Sequence, residues 1–220
     1  MKITNTEVQG FEHAIRGMRN PLNSHHLSDS HYMNCGGTPN YNHYIIGEKD
    51  MDLAIRLIKG GAEHCKFLRQ IHVWADIDMP RYWWSEADTY HYNTKNSTST
   101  MHRLLNNPNP ITLDMFVYCE EDIDLWETII ARLEELRVEF INNTTNPDHK
   151  NWLLVRAKRL LPEGFLQMRT VDTNYAELRN MYMQRKTHRL KEEWCDVFCS
   201  WVESLPYAKE LITTDYRKAD

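Results

Sequence analysis

The chain has 220 residues, of which 26 are basic and 31 acidic, giving a formal net charge of −5. This charge provides no general basic face, so we expect no polymeric nucleic acid and no anionic membrane surface among its partners. No apolar stretch approaches the roughly 20 residues of a membrane-spanning helix, and the N-terminus lacks the apolar core of a signal peptide. Five scattered cysteines indicate free thiols in the cytoplasm, or in the host cytoplasm if the protein is viral.

Hydrophobic spacing predicts short elements in the first half of the chain. Residues 2–8 are typical of an edge strand, and residues 11–18 have the apolar spacing of a short helix. The polar stretch 20–44, which contains Gly36 and Gly37, is expected to be irregular. Residues 49–59 predict an amphipathic helix, and residues 71–77 alternate as a half-buried strand does. Pro80 then opens a helix through Trp83 and Trp84, and residues 89–103 are expected to form a polar loop.

The second half predicts longer helices. Residues 121–141 form one helix, with an apolar stripe that consists of Leu125, Ile129, Leu133, Leu136 and Phe140. After a break at 142–147, a further helix runs to Leu161 and Pro162, and residues 164–171 alternate in part, as a strand does. Asn174 can cap the next helix, because its side-chain oxygen can accept from the first-turn N–H groups. A last long helix covers residues 190–202.

Four residues at fixed intervals carry a resemblance to a known family. Pro162, Asn174, Asn180 and Arg185 reproduce, without a gap, spacings in the C-terminal half of the flavin-dependent thymidylate synthases. There A-R-x-x-L-P is followed by two asparagines and then by L-R, and Lys158 stands here in place of the first Arg. The resemblance implies an α+β fold in which a mostly antiparallel sheet is packed with long helices. It also implies a single thymidylate synthase-like domain over residues 1–220.

The family's signature, R-H-R followed after seven residues by Ser, falls between residues 81 and 103. Three alignments are open. Residues 90–92 match the triplet if His91 is aligned, and Thr100 then takes the Ser position. Residues 89–91 match it if Asn96 is aligned with the N-E-x-S motif, whose last position is Ser99. The third alignment places residues 85–87 on the triplet, by matching the aromatic run that precedes it to Arg81, Trp83 and Trp84. Both arginines of the triplet are missing in every case.

The candidate site residues follow from these matches. A nucleotide monophosphate needs cations and hydroxyl donors, and the nucleotide-binding candidates are Ser99, Arg103, Lys158 and Arg185. By resemblance Arg185 lies at the pyrimidine ring, and Ser99 and Arg185 are the catalytic candidates. The resemblance assigns the flavin to Asn174 and Asn180, with Tyr90 and His91 as further cofactor-binding candidates. We expect no metal site, because Cys195 and Cys199 on one helix are more typical of buried thiols.

The reaction that the resemblance implies is methylation of dUMP at C5 to give dTMP. FAD would be the cofactor, NADPH the reductant and methylenetetrahydrofolate the one-carbon donor, in a homotetramer. The missing arginines leave two alternatives. One is a related flavin-dependent enzyme with another pyrimidine nucleotide or another one-carbon product. The other is a non-catalytic oligomeric binding protein of the same fold.

Overall fold

The computed structural model describes residues 1–35 and 38–216, and it describes side chains outside residues 34–43. Gly36 and Gly37, which the sequence places in an irregular stretch, lie outside the described residues. The first half of the chain contains β1 (Lys2–Gln9), α1 (Phe11–Arg19), β2 (His31–Cys35), β3 (Thr38–Ile45), α2 (Glu48–Lys59), β4 (His72–Pro80), α3 (Arg81–Ala87), β5 (Thr94–Ser97) and α4 (Thr100–Arg103).

The second half is mainly helical. It contains α5 (Ile123–Asn142), α6 (Pro147–Leu160), β6 (Leu166–Asn174), α7 (Tyr175–Arg185), a π-helical segment (Lys191–Cys199), α8 (Ser200–Glu203) and a second π-helical segment (Lys209–Thr213). Four strands form one sheet in the order β1-β4-β6-β5, and β2 pairs with β3 in an antiparallel hairpin. The α+β class, with an antiparallel sheet packed against helices, is confirmed.

Two sequence predictions were wrong in detail. The stretch 20–44 contains the hairpin β2–β3, and the stretch 89–103 contains β5 and α4. Both segments are rich in polar residues and show no clear alternation, so hydrophobic spacing gave no signal for their strands. In α5 the predicted stripe holds at Leu133 and Leu136, which are buried, whereas Leu125 is 60% exposed.

Contacts between Cα atoms divide the chain into two compact units. The first unit consists of Met1–Lys2, Ile77–Thr89 and Asn96–Thr170. Its core is a cluster of buried apolar side chains from α5, α6, the C-cap of α6 and the segment before α5: Leu104, Leu105, Ile111, Phe116, Leu133, Leu136, Leu153, Ala157 and Leu161. The single domain that the sequence indicates stays a prediction.

The second unit consists of Ile3–Asp76, Tyr90–Lys95 and Val171–Asp220. The predicted face of α1 is buried here through Phe11, Ala14, Ile15 and Met18. The helix α7 packs against residues 66–70 and against Lys209–Thr213. Tyr175, the first residue of α7, is fully buried, and its hydroxyl donates to the Pro206 carbonyl at 2.6 Å. This packing holds the N-terminal turn of α7 in place.

A buried ion pair fixes the segment before the hairpin in the second unit. Arg19 Nε donates to Asp50 Oδ1 at 2.5 Å, and Asp50 is fully buried. Asp50 Oδ2 also accepts from the hydroxyls of Ser28 and Ser30, each at 2.6 Å. Burial alone would raise the pKa of Asp50, but the hydrogen bonds from Ser28, Ser30 and Arg19 outweigh it and lower that pKa. Although residues 24–30 contain little regular structure, they are therefore firmly bound to α2.

Candidate functional site

Two of the predicted nucleotide-binding residues lie at the ends of α4 in the first unit. Ser99 is the N-cap of this helix, and its Oγ accepts from the backbone N–H of His102 at 3.3 Å. The cap leaves the Ser99 hydroxyl hydrogen available as a donor. Arg103 ends the helix with an exposed side chain. The turn therefore offers one hydroxyl and one guanidinium.

Lys158, on α6 of the same unit, adds a half-buried ammonium group. Its Nζ donates to Oγ1 of Thr100, the residue after Ser99. Burial lowers the pKa of Lys158, and the neighbouring Arg81 guanidinium lowers it further. Arg81 is paired with Glu163 at 3.0 Å, and Glu163 is more than half exposed. Lys158 and Arg81 thus lie near each other, and the carboxylate that pairs with Arg81 is solvated, which suits an anionic group such as a phosphate.

In the second unit, Asn174 begins α7 as the sequence predicts. Its Oδ1 accepts from the backbone N–H of Glu177 at 3.0 Å, and its Nδ2 donates to the Tyr92 carbonyl at 3.4 Å. Asn174 is only 9% exposed. The helix cap and the predicted ligand contact therefore involve the same side chain, which keeps one Nδ2 hydrogen for a ligand.

A cavity of about 480 Å³ lies beside this helix start, entirely within the second unit. Its volume is in the usual range for small-molecule sites. The predicted flavin residues Asn174 and Asn180 both line it, and the other lining residues are Ile58, Gly61, Ala62, Cys65, Leu68, Arg69, Tyr92, Ala176, Glu177, Arg179, Met183 and Asp215. The wall is thus partly aliphatic and partly aromatic, with amides and charged groups at a few points.

The residues that line the cavity include Arg69, Tyr92 and Glu177, to which the sequence assigned no ligand contact. The Arg69 guanidinium lies 5.4 Å from the centre of the Tyr92 ring, so a cation rests on an aromatic face. Glu177 is 5% exposed, although it is a carboxylate. The pattern Asn174-x-x-Glu177 resembles a capping box and marks Glu177 as a first-turn residue. Nothing local in the sequence connects Arg69 with this helix.

Arg185, the predicted catalytic arginine, contacts two aromatic side chains in the second unit. Its Nε donates to the Tyr90 hydroxyl at 2.8 Å, and its guanidinium lies 4.6 Å from the centre of the Trp194 ring. Tyr90 is 6% exposed, whereas the neighbouring His91 is exposed. The cavity-lining set contains neither Tyr90, His91 nor Arg185. Tyr90, predicted as a cofactor contact, is therefore placed against Arg185.

In the part of the chain that the structure describes, no group of three or more His, Cys, Asp or Glu side chains is arranged to hold a metal ion. None of the helices described combines the length and apolar character needed to cross a bilayer. The four cysteines whose side chains are described, at positions 65, 119, 195 and 199, are free thiols.

No protein-family model matches the sequence, and no curated protein matches it significantly. Solved structures, however, match almost the whole chain. Two structures of the flavin-dependent thymidylate synthase ThyX from Helicobacter pylori, both with FAD and dUMP, give TM-scores of 0.69 and 0.71 at 18% identity. They cover 96% and 99% of this chain, and 98% and 100% of their own. The chain has the flavin-dependent thymidylate synthase fold.

A third match is weaker. The UMP/dUMP methylase PolB from Streptomyces cacaoi, bound with 5-Br dUMP, gives a TM-score of 0.54 at 14% identity. It covers 96% of this chain and 94% of its own. The resemblance found at four positions in the second half of the sequence is confirmed as a shared fold, and it extends over nearly the full chain.

Proposed function

We propose that the protein is a flavin-dependent enzyme that methylates dUMP at C5 to give dTMP. The observation that carries the proposal is the cavity of the second unit, which Asn174 and Asn180 both line. The sequence resemblance independently assigns these two amides to the flavin. The H. pylori ThyX structures that share the fold contain FAD and dUMP, which supports the same ligands here.

The lining of the cavity provides the kinds of groups that part of an FAD molecule needs. An isoalloxazine or adenine ring needs apolar or aromatic walls, and the cavity offers Ile58, Leu68 and Tyr92. Its polar edges need amide-type partners, which Asn174 and Asn180 provide. When bound, FAD would supply the redox chemistry, with NADPH as the reductant and methylenetetrahydrofolate as the one-carbon donor. The side chains of the protein bind and orient the reactants.

The candidates for the phosphate of dUMP lie in the first unit. Lys158, Arg103 and the Ser99 hydroxyl would bind the phosphate, because a dianion relieves the repulsion between Lys158 and Arg81. Arg185 would hold the pyrimidine ring, since its planar guanidinium can donate two parallel hydrogen bonds to ring oxygens. Ser99 and Arg185 remain the catalytic candidates.

A second candidate is a flavin-dependent enzyme that acts on another pyrimidine nucleotide or adds another one-carbon group. Two observations favour it. The two arginines of the signature triplet are replaced by uncharged residues or His in every alignment. A methylase that acts on UMP as well as dUMP shares the fold. UMP and dCMP should therefore be tested as substrates together with dUMP in every assay.

The test combines a spectrum with a product assay. The purified protein should show flavin absorbance, or should acquire it with added FAD, and should form dTMP from dUMP, NADPH and methylenetetrahydrofolate. Mass detection of the nucleotide product distinguishes dTMP from other C5-modified products. Arg185→Ala should abolish product formation, while Arg189→Ala, an exposed arginine four residues later, should not.

The proposal fails if the protein binds neither FAD nor dUMP in thermal-shift titrations. Binding of both ligands without product from any nucleotide would instead favour the non-catalytic alternative. The proposal includes a homotetramer in the cytoplasm. Light scattering coupled to gel filtration measures the number of subunits, and a fluorescent fusion shows the location.

A further inference from the structure

Glu177 is a buried carboxylate that faces the cavity of the second unit. It is 5% exposed, and it lines the cavity together with Asn174 and Tyr92. Its Oε1 accepts from the Tyr92 backbone N–H at 3.4 Å, which is at the long end of the hydrogen-bond range. Among the described residues, this is the only donor that the structure gives to the Glu177 carboxylate.

Burying a carboxylate with a single weak hydrogen-bond donor costs free energy of folding, which is unusual for a residue with a purely structural role. A buried carboxylate normally has several strong donors, as Asp50 of the same unit has from Arg19, Ser28 and Ser30. Glu177 has one weak donor and the partial positive charge of the α7 N-terminus, in whose first turn it lies. Because Glu177 lines the cavity, the remaining acceptor capacity of its carboxylate is available to a ligand there.

A carboxylate accepts hydrogen bonds and repels phosphate, so it selects for a neutral group with O–H or N–H donors. Two neighbouring hydroxyls match its two oxygens, as in nucleotide sites where an acidic side chain binds a ribose. Arg69 and Tyr92 supply a cation and an aromatic face at the same cavity. This is the pattern expected around a sugar that stands between a ring and a phosphate.

We propose that Glu177 binds a vicinal diol of the ligand in this cavity and thereby determines which ligands the cavity accepts. The inference rests on the proposed function in one respect, since FAD is the expected ligand. FAD contains two such groups, the ribityl chain next to the flavin and the ribose next to the adenine. Both carry the neighbouring hydroxyls that Glu177 is proposed to bind. Pairs of ligands with and without these hydroxyls show which of the two groups it binds.

The experiment measures dissociation constants for FAD and for two matched pairs. Riboflavin and lumiflavin differ by the ribityl chain, and AMP and 2′-deoxy-AMP differ by the diol of the ribose. The wild-type protein should prefer the diol-bearing member of one pair by roughly tenfold or more. Preference in the first pair places the ribityl chain at Glu177, and preference in the second places the ribose there.

Glu177→Gln should reduce that preference to less than twofold and should weaken FAD binding by roughly tenfold. Glu48→Gln is the matched control, because Glu48 is an exposed first-turn glutamate of α2 in the same unit and does not line the cavity. It should leave the dissociation constants unchanged. Without ligand, Glu177→Gln should unfold at a temperature no lower than the wild type, because the mutation removes a buried carboxylate that has only one weak donor.

The possible outcomes separate this inference from the proposed function. If the wild type binds FAD and Glu177→Gln binds it equally well, the inference is wrong and the proposed function stands. If the wild type binds no flavin but prefers AMP to 2′-deoxy-AMP through Glu177, the proposed function is wrong and the inference stands. No preference in either pair, or a Glu177→Gln protein that is markedly less stable, contradicts the inference.

Discussion

Tyr90 and Arg185 are hydrogen-bonded to each other, although 95 residues separate them in the sequence. Arg185 Nε donates to the Tyr90 hydroxyl at 2.8 Å, and the same hydroxyl donates to Gln184 Oε1 at 3.1 Å. The guanidinium also lies 5.5 Å from the centre of the Tyr90 ring. Since Tyr90 is buried, its hydroxyl restricts the positions that the guanidinium can take.

Tyr90→Phe should therefore destabilise the protein by about 1–2 kcal/mol, because the mutation removes a hydrogen bond to a charged donor and leaves the ring in place. If Arg185 holds the pyrimidine as proposed, kcat should also fall, since the guanidinium loses one restraint. Urea denaturation measures the first effect and the product assay measures the second.

Tyr118→Phe is the control for this prediction. Tyr118 packs against Trp126, and the structure gives its hydroxyl no hydrogen-bond partner among the described residues. The mutation should change neither stability nor kcat. Equal stability of the Tyr90→Phe protein and the wild type would show that the Tyr90 hydroxyl does not restrain Arg185.

Substitutions at Asn174 separate its role as a helix cap from its proposed role at the flavin. Asn174→Ala should cost about 1 kcal/mol of unfolding free energy, because the Glu177 N–H loses its acceptor. Asn174→Ser retains a capping oxygen and should recover much of this loss, but it lacks the amide donor. FAD binding should be weakened in both variants. Normal FAD affinity in the Ser variant would assign Asn174 to the cap alone.

Structural features that depend on residues close together in the sequence could be predicted from it. The start of α7 at Asn174 was predictable because a cap requires only residues within one turn, and the burial of β4 followed from strict alternation. The hairpin β2–β3 was not predictable, because its polar residues carry no period-2 pattern. The cavity was not predictable either. Arg69 and Glu177 meet there from positions 108 apart in the chain, which only the fold brings together.

The phosphate candidate Lys158 leads to a prediction about pH. Burial and Arg81 lower its pKa, so its charge is lost as the pH rises, at a lower pH than for an exposed lysine. Because only the protonated form attracts a phosphate, dUMP affinity should fall as the pH rises through that lowered pKa. Lys158→Ala should weaken dUMP binding by roughly tenfold at pH 7 and should remove this pH dependence.

Arg159→Ala is the matched control, since Arg159 is the next residue of α6 and is exposed. It should retain both the affinity for dUMP and its dependence on pH. Isothermal titration at several pH values measures both quantities. An affinity of the Lys158→Ala protein within twofold of the wild type would place the phosphate elsewhere.

The buried pair Arg19–Asp50 should make the protein sensitive to acid. The pKa of Asp50 is lower in the folded state than in the unfolded chain, where it is about 4. Its ionised form therefore contributes stability that is fully present above pH 4 to 5 and is lost as the pH falls through the lowered folded-state pKa. Asp50→Asn should cost roughly 3–5 kcal/mol at pH 7, because Arg19 is left buried without its counter-charge.

Urea midpoints measured from pH 7 down to pH 3 test this prediction. The difference in unfolding free energy between the wild type and Asp50→Asn should shrink as the pH falls, because acid protonates the carboxyl that the mutation replaces. Asp52→Asn, an exposed position of the same helix, should follow the wild-type curve at every pH. A difference that stays constant with pH would mean that Asp50 acts through its shape rather than its charge.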